Sequence, residues 1–263
     1  MAFELPLDQI ICADNCDALG TFPSECIDLV VTSPPYDNLR RYDSDKPMSE
    51  LWNFENLAQQ LWRVIKPGGV VVWIVADATI DGSETGTSFR QALRFMEIGF
   101  RLADTMIWEK TGQGAVGAWY WSNFEFMFVM SKGKPCKFNP IQDRRNVIES
   151  GKVSTCGGRN EEGGFDTRRV IERQAFGRRF NVWKCDEQRN SEHPAPFPEN
   201  LARDHILSWS NELDVVLDPF LGSGTTAKMA RELGRRYIGI EVNPEYVEIS
   251  KKRLAQQLLP IMG

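Results

Sequence analysis

The amino-acid sequence predicts an α/β fold with a doubly wound, mostly parallel β-sheet. Short runs of β-branched and apolar residues, typical of buried strands, alternate with stretches in which apolar residues recur at helical spacing. At 263 residues, of which 42% are hydrophobic, the chain can bury the core of such a sheet and carry one inserted subdomain. Seven stretches have the character of strands, which predicts a seven-stranded sheet.

The first half of the chain accounts for five of these strands and for two helices. Uniformly apolar strands favour the interior of a parallel sheet, and both helices are followed by Gly, which commonly ends helices. The fourth and fifth strands flank an aromatic-rich loop, so we expect them to form an antiparallel edge. The predicted strands are 9–12, 28–32, 70–75, 103–108 and 125–130, and the predicted helices are 52–66 and 89–98.

The C-terminal part of the chain returns to the same alternation. A helix precedes an apolar strand, a turn with two glycines leads into another helix, and a further strand and an amphipathic helix follow. The predicted strands are 215–218 and 237–241, and the predicted helices are 200–210, one beginning at 225 or 226, and 245–258.

The second strand ends in an unusual turn, Ser33-Pro34-Pro35-Tyr36. Proline has a fixed φ and no N–H, so this turn cannot continue a ladder and its carbonyls can accept hydrogen bonds from another molecule. Ligands of open α/β sheets bind at the carboxyl ends of the strands, where a hydroxyl, a carbonyl and an aromatic ring suit a flat base with an amino group. The alternative is an ordinary proline-rich turn that closes a buried strand and has no role in binding.

A second turn has the features of a nucleotide-binding loop. The segment 218–226, DPFLGSGTT, follows a buried strand and leads into a helix, and its glycines allow the backbone to approach a bound molecule. Glu241 ends the next strand, 17 positions after Gly224, where its carboxylate suits the two hydroxyls of a ribose. Such a turn is common in nucleotide-binding folds and by itself does not single out one ligand.

Taken together, these motifs resemble a known family. The sequences TSPPY (32–36), DPFLGSGTT (218–226) and IGIEVNPEY (238–246) resemble motifs IV, I and II of the S-adenosylmethionine-dependent DNA amino-methyltransferases, and their order resembles the β group. The resemblance covers most of 8–131 and 193–254 but not the middle of the chain. It implies a Rossmann-like methyltransferase fold with a circularly permuted motif order, and S-adenosyl-L-methionine as the cofactor.

The resemblance also implies roles for individual residues. The Ser33 hydroxyl and the Pro34 carbonyl would accept hydrogen bonds from the amine of a flipped base stacked on Tyr36, and no metal is required. The β group has an acid before the TSPPY strand that contacts the adenine of the donor, which assigns this role to Asp14, otherwise a helix-cap residue. The implied catalytic residues are Ser33, Pro34, Pro35 and Tyr36, and the implied cofactor residues are Asp14, Pro198, Asp218, Phe220, Gly222, Ser223, Gly224, Thr225 and Glu241.

The target base is less well defined by these motifs. Serine before Pro-Pro-Tyr is usually associated with cytosine N4, whereas adenine N6 enzymes usually carry Asp or Asn, so cytosine is slightly favoured although serine versions acting on adenine occur. RNA and protein-glutamine methyltransferases share a PPY turn, but their Gly loop normally precedes it. An inactive DNA-binding relative would lose its donor contacts, whereas Asp218, Gly222, Gly224 and Glu241 are all present.

The middle of the chain is basic. Residues 132–190 contain 14 Lys and Arg against eight Asp and Glu, whereas the whole chain has a net charge of −5. A solvated insert is one explanation, and contact with double-stranded DNA is the favoured one, because the β group keeps its loop-rich target-recognition region here. The predicted DNA-binding residues are Arg168, Arg169, Arg178 and Arg179, with Arg40 and Arg41 in a polar loop after the TSPPY turn.

These predictions divide the chain into three parts: 1–131 as the catalytic part of the methyltransferase domain, 132–192 as the target-recognition region, and 193–263 as the donor-binding part of the same domain. The N-terminus lacks an export signal, and no apolar run is long enough for a membrane span, so a cytoplasmic location is expected. Six scattered cysteines and two histidines indicate neither zinc nor disulfides. A companion restriction endonuclease, and a monomer or a homodimer, remain open.

Overall fold

The computed structural model describes residues 4–35, 53–111, 120, 122–147, 153–156, 169–172, 174–185 and 198–256. Four predicted site residues, Tyr36, Arg40, Arg41 and Arg168, lie outside these ranges. The chain divides into two compact units, a larger one formed by Met1–Asn139 with Asn181–Gly263 and a smaller one formed by Pro140–Phe180. Within the described ranges, no helix is long and apolar enough to cross a membrane.

The strands are short except for three long ones that lie side by side in the main sheet. In chain order they are β1 (Gln9–Cys12), β2 (Ile27–Thr32), β3 (Ile65–Val75), β4 (Thr79–Ile80), β5 (Ser83–Glu84), β6 (Arg101–Lys110), β7 (Phe124–Ser131), β8 (Arg144–Arg145), β9 (Val153–Cys156), β10 (Arg169–Glu172), β11 (Phe176–Gly177), β12 (Val182–Cys185), β13 (Val215–Asp218) and β14 (Arg236–Glu241). The larger unit contains an eight-stranded sheet in the order β1-β14-β13-β2-β3-β7-β6-β12. Strand β7 is antiparallel to both of its neighbours, and all other neighbouring pairs are parallel.

Helices cover both faces of this sheet. They are α1 (Asn15–Gly20), α2 (Phe54–Val64), α3 (Thr87–Ile98), α4 (Glu199–Trp209), α5 (Thr225–Glu232) and α6 (Pro244–Gln256). Successive strand residues point to opposite faces, and in β7 Met127 and Phe128 are both buried. Met127 contacts His205 of α4, while Trp73, opposite Phe128 in β3, packs on Phe95 of α3. The predicted doubly wound α/β fold is therefore confirmed.

The sheet differs from the prediction in one strand and in the position of the antiparallel pair. Strand β12 adds an eighth strand parallel to β6, with Trp183 and Cys185 buried and Val182 and Lys184 exposed. Four residues within a basic, Gly-rich stretch carry too little periodicity to be recognised as a strand. The antiparallel strand β7 is not at the edge, because it lies between β3 and β6.

In the described part of the smaller unit, the strands form two short antiparallel pairs. Strand β8 pairs with β11, and β9 pairs with β10. This unit falls within residues 132–192, whose role in target recognition stays a prediction. Residues 132–139 belong instead to the larger unit: the Lys132 N–H donates to the Gly69 carbonyl at 3.1 Å, and the Gly68 N–H donates to the Lys132 carbonyl at 2.6 Å. These backbone bonds let β3 begin at Ile65, before the Pro-Gly-Gly sequence that was expected to separate helix from strand.

Candidate active site

The carboxyl ends of four parallel strands bring most of the predicted site residues to one edge of the sheet. Asp14 follows β1, Glu241 ends β14, Asp218 ends β13 and Ser33 follows β2, in that spatial order. Neighbouring strands lie about 4.8 Å apart, so the edge from Asp14 to Ser33 spans roughly 15 Å. Ser33 and Pro35 are half-buried and Pro34 is buried, while Tyr36 lies outside the described residues.

Asp218 links the two predicted motifs. The Thr32 hydroxyl donates to Asp218 Oδ1 at 2.7 Å, and the Phe220 N–H donates to the same oxygen at 3.0 Å. Thr32 immediately precedes Ser33, so the end of β2 is held directly against the start of the Gly loop. Asp218 Oδ2 is buried, and no described residue donates a hydrogen bond to it. Burial raises the pKa of Asp218 to about 6, partly offset by its hydrogen bonds.

Glu241 holds the Gly loop against β14. The Gly222 N–H donates to Oε2 at 2.8 Å, and the Asn243 N–H donates to Oε1 at 2.9 Å. Burial raises the pKa of Glu241, and these backbone hydrogen bonds oppose the rise. An ionised carboxylate has about four lone-pair positions, so Glu241 can still accept a hydrogen bond from a hydroxyl.

Glycine is needed in the loop for backbone conformation and packing. Gly222 and Gly224 have φ values of 52° and 85°, in the left-handed region that favours glycine. A Cβ on Gly224 would lie 2.8 Å from the Ser250 Cβ of α6. Gly224 therefore allows α5 to start close to α6. Phe220, in the same loop, is half-buried, with its ring centroid 6.5 Å from that of Trp73.

An arginine that the sequence analysis did not single out engages two of the predicted cofactor residues. Arg253 of α6 donates to the Ser223 and Thr225 hydroxyls, each at 3.0 Å. Arg253 also forms an ion pair with Glu199 of α4, whose second partner, Lys228, lies at 2.6 Å. These contacts connect α4, α5, α6 and the Gly loop. Charged residues were expected on the solvent-exposed face of α6. Sequence spacing alone does not reveal that the Arg253 side chain instead contacts the Gly loop.

Pro198 and Asp14 both begin helices. Pro198 is buried and occupies the N-cap of α4, where its carbonyl accepts hydrogen bonds from the first turn. Asp14 caps α1, because its Oδ1 accepts from the Cys16 N–H at 2.8 Å and the Asp17 N–H at 3.1 Å. The helix-cap alternative for Asp14 is thus present in the structure, and its contact with a cofactor stays a prediction.

The other half of the same edge holds an ion pair that the sequence analysis missed. Because β7 runs antiparallel, its first residues meet the last residues of β6, and Lys110 Nζ lies 2.5 Å from Oε1 of Glu125. Glu125 is only 2% exposed. Oppositely charged residues at the ends of two apolar strands are the signal that could have suggested this pair, but the strands had first to be recognised as neighbours.

The predicted DNA-binding arginines are placed differently from one another. Arg179 forms an ion pair with Asp143 within the smaller unit, with its Nε 3.0 Å from Oδ2, and this hydrogen bonding lowers the pKa of Asp143. Arg178 is exposed, and Arg169 opens β10. Arg40, Arg41 and Arg168 lie outside the described residues, so their predicted contacts remain untested.

The chain is similar to known DNA methylases along most of its length. Residues 27–252 match the family N6_N4_Mtase, described as DNA methylase. The orphan methyltransferase M.BamHII of Bacillus amyloliquefaciens is 49% identical over 244 residues, which cover 89% of this chain and 90% of that protein. The type II methyltransferase M.BglII of Bacillus subtilis is 29% identical over 95% of this chain and 69% of its own length.

Solved structures share the fold. TTHA0409 of Thermus thermophilus, in complex with S-adenosyl-L-methionine, superimposes with a TM-score of 0.65 at 24% identity, covering 96% of both chains. The PvuII DNA methyltransferase, named as cytosine-N4-specific, superimposes with a TM-score of 0.69 at 23% identity, covering 93% of this chain and 85% of that one. The resemblance inferred from the three sequence motifs is confirmed, and this chain belongs to the N4-cytosine/N6-adenine family of DNA methylases.

Proposed function

We propose that this protein transfers the methyl group of S-adenosyl-L-methionine to the exocyclic amine of a flipped base in double-stranded DNA, with cytosine N4 favoured over adenine N6. The hydrogen bond between Thr32 and Asp218 carries the proposal. It joins the turn suited to an amine and the loop suited to a nucleotide-like donor, so that the two substrates would meet on adjacent strands.

The charges at the edge of the sheet fit this donor. Among the described residues, no Lys or Arg forms an ion pair with Asp218 or Glu241. S-adenosyl-L-methionine is positively charged at its sulfonium, which supplies the methyl group, and at its ammonium. Glu241 would accept hydrogen bonds from the ribose hydroxyls, Asp14 would accept one from the adenine amine, and the buried Asp218 would offset positive charge.

The Ser33-Pro34 turn would provide the acceptors that an exocyclic amine needs. The lone pair of such an amine is delocalised into the ring, so the nitrogen attacks only when hydrogen bonds draw it toward tetrahedral geometry. The Ser33 hydroxyl and the Pro34 carbonyl would accept those bonds and strengthen them as positive charge develops on nitrogen. The reacting amine is out of reach inside a duplex, so the base is flipped out and stacked on Tyr36.

Serine at position 33 supports cytosine N4 as the target, since the family form that acts on adenine N6 usually has a carboxylate or an amide there. Adenine N6 is the second candidate, because serine forms acting on adenine occur. Both type II and orphan methyltransferases are named among the relatives. The proposal therefore includes double-stranded DNA as partner, with or without a companion restriction endonuclease.

The test is to express the protein in a host without DNA methylation, map modified bases, and follow radiolabel from the donor into DNA, RNA and protein. We expect N4-methylcytosine at one short sequence, and the Ser33→Ala variant serves as the control. N6-methyladenine would select the second candidate. Label found only in RNA or protein, or no label at all, would refute the proposal.

A further inference from the structure

The smaller unit contains an arginine that the sequence analysis did not assign to any role. Arg144 lies in β8, opposite Gly177 of β11. Its Nε donates to the Arg178 carbonyl at 2.9 Å, and the central carbon of its guanidinium lies 4.6 Å from the centroid of the Phe180 ring. One hydrogen bond and one cation–π contact therefore hold this side chain.

Gly177 makes room for this arrangement. A Cβ at position 177 would lie 2.6 Å from Arg144 Nη2 and 2.8 Å from Asn146 Oδ1. Asn146 is itself held in place, because its N–H donates to the Ala175 carbonyl at 3.0 Å and its Nδ2 donates to the Gln174 carbonyl at 2.8 Å. The Arg144 guanidinium thus packs over Gly177, next to the side-chain amide of Asn146. The conformation of the Arg144 side chain is therefore set before any partner binds.

The N–H groups of the two terminal nitrogens of Arg144 remain available as hydrogen-bond donors. Within the described part of the chain, neither nitrogen donates a hydrogen bond and no carboxylate pairs with the group. Arg179 provides the contrast, since its guanidinium is neutralised by Asp143 in the same unit. Two aromatic side chains of this unit are also exposed, Phe176 by 51% and Phe180 by 67%. A preorganised guanidinium with free donors among exposed aromatic rings is suited to a planar partner with two adjacent acceptors.

We propose that Arg144 reads a guanine of the recognition sequence, by donating both terminal nitrogens to O6 and N7 in the major groove. This inference rests on the proposed function, in that the chain must act on DNA. It adds the specificity-determining residue and the base that it recognises. Gly177, the Arg178 carbonyl and Phe180 are positioning groups that act through Arg144.

The experiment uses the full chain and a duplex oligonucleotide that carries the sequence mapped in the methylation-free host. Single-turnover methylation is measured with each guanine replaced in turn by 7-deazaguanine, which lacks the N7 acceptor. For the wild type we expect one position where the replacement slows methylation roughly 5- to 150-fold. In Arg144→Ala the rate on the natural duplex should fall by a similar factor, and the 7-deazaguanine replacement at that position should cost nothing further.

The Gly177→Ala variant distinguishes a loss of base recognition from a loss of stability and from a loss of positive charge. Its φ is not in the left-handed region, so the new methyl group should displace the ends of the Arg144 and Asn146 side chains and leave the backbone pairing of β8 with β11 intact. We expect this variant to lose sensitivity to 7-deazaguanine, while the salt dependence of DNA binding and the thermal unfolding temperature stay unchanged. Gly20→Ala, where a Cβ meets nothing within 4 Å, is the matched control and should behave as wild type.

Two outcomes would overturn the role of Arg144. The first is a recognition sequence without guanine. The second is that, at every guanine position, the rate reductions caused by Arg144→Ala and by 7-deazaguanine multiply when the two changes are combined. The second result would mean that the arginine only supports the pairing of β8 with β11. Failure of the proposed function has a different signature, because no base in DNA would then be modified by the wild type.

Discussion

Two buried aspartates on neighbouring strands differ in how their negative charge is compensated at the two ends of the sheet. Asp28, near the start of β2, accepts hydrogen bonds from Lys66 at 2.6 Å and Lys137 at 2.9 Å. Asp218, at the end of β13, accepts from the Thr32 hydroxyl and the Phe220 N–H, and none of the described lysines and arginines forms an ion pair with it. Burial would raise the pKa of Asp28, but the lysines hold it below the usual value, whereas burial raises the pKa of Asp218 to about 6.

The difference separates a carboxylate paired with cations inside the protein from one whose charge the proposed donor would offset. A buried carboxylate costs free energy unless cations and hydrogen bonds compensate it, and at the amino end that compensation is complete within the protein. At the carboxyl end no described lysine or arginine pairs with Asp218, and hydrogen bonds from neutral groups only partly offset the effect of burial. Uncompensated charge at one place is typical of functional sites, where the ligand supplies the missing interaction.

The largest effect should come from removing the acceptor at the carboxyl end. Ser33→Ala should slow single-turnover methylation by ~10²–10³, the scale for losing one hydrogen-bonding group in a transition state, while donor and DNA affinity stay close to wild type. Ser131 is the matched serine at the amino end, buried and donating to the Gly133 carbonyl at 2.8 Å. Ser131→Ala should methylate at the wild-type rate, and equal rates for both variants would assign Ser33 to a structural turn.

At the amino end the expected effect is on stability. Asp28→Asn would leave Lys66 and Lys137 without their shared anion, and we expect a loss of about 2–3 kcal/mol in the free energy of unfolding, measured by denaturant titration. The expected cost is smaller than the ~3–5 kcal/mol for breaking a fully buried pair because Lys137 retains Asp214 at 2.6 Å. Single-turnover methylation by the folded fraction should be unchanged. Unchanged stability would mean that this charge cluster is not a structural one.

Donor affinity should depend on the carboxyl end alone. Glu241→Ala removes a carboxylate that would accept hydrogen bonds from the ribose, so calorimetry should show a loss of ~1–3 kcal/mol in binding S-adenosyl-L-methionine. Asp28→Asn is the control and should bind the donor as wild type does. Identical donor affinity in Glu241→Ala and wild type would remove Glu241 from the proposed site.

The smallest expected effect is a pH dependence of opposite sign at the two ends. A pKa for Asp218 raised from 3.8 to about 6 means that the folded state holds a proton which the unfolded state has lost, so its contribution to stability declines as pH rises from about 4 to about 6. Asp218→Asn should therefore raise the stability at pH 8 by about 1–2 kcal/mol without donor present. Asp28 has a lowered pKa, and its contribution is lost as the pH falls below its usual value.

Thermal unfolding between pH 3 and pH 8 would measure both contributions. If Asp218→Asn destabilised the protein at pH 8 as Asp28→Asn does, the two ends of the sheet would not differ in the way described.

Strand patterns and short motifs in the sequence were enough to predict the positions of Ser33, Asp218 and Glu241 at the carboxyl edge. Local periodicity identifies a buried strand, and the rule for open α/β sheets then places its last residue. The contact between Thr32 and Asp218 was out of reach, because it joins residues 186 positions apart whose pairing depends on the order of the strands.

Charge was the weakest basis for prediction. Lys132 and Lys137 were counted as part of a basic, DNA-facing region, but Lys132 Nζ lies 3.1 Å from Glu25 and Lys137 bridges Asp28 and Asp214. Both lysines therefore already have carboxylate partners within the fold, and contact of residues 132–192 with DNA stays a prediction. A sum of charges along the chain cannot show which cations already have partners elsewhere in the fold, and the same limit applies to Arg253 in α6.

The pairing of the first strand with the last one has a consequence for synthesis. Strand β1 lies beside β14, and β2 lies beside β13, so the strands synthesised first can pair with these neighbours only after the C-terminal strands have been synthesised. At about 5–20 residues per second, the ribosome needs tens of seconds to deliver Glu241 after Asp14 has emerged. A nascent or truncated chain that lacks β13 and β14 therefore lacks the part of the carboxyl edge that carries Asp218 and Glu241.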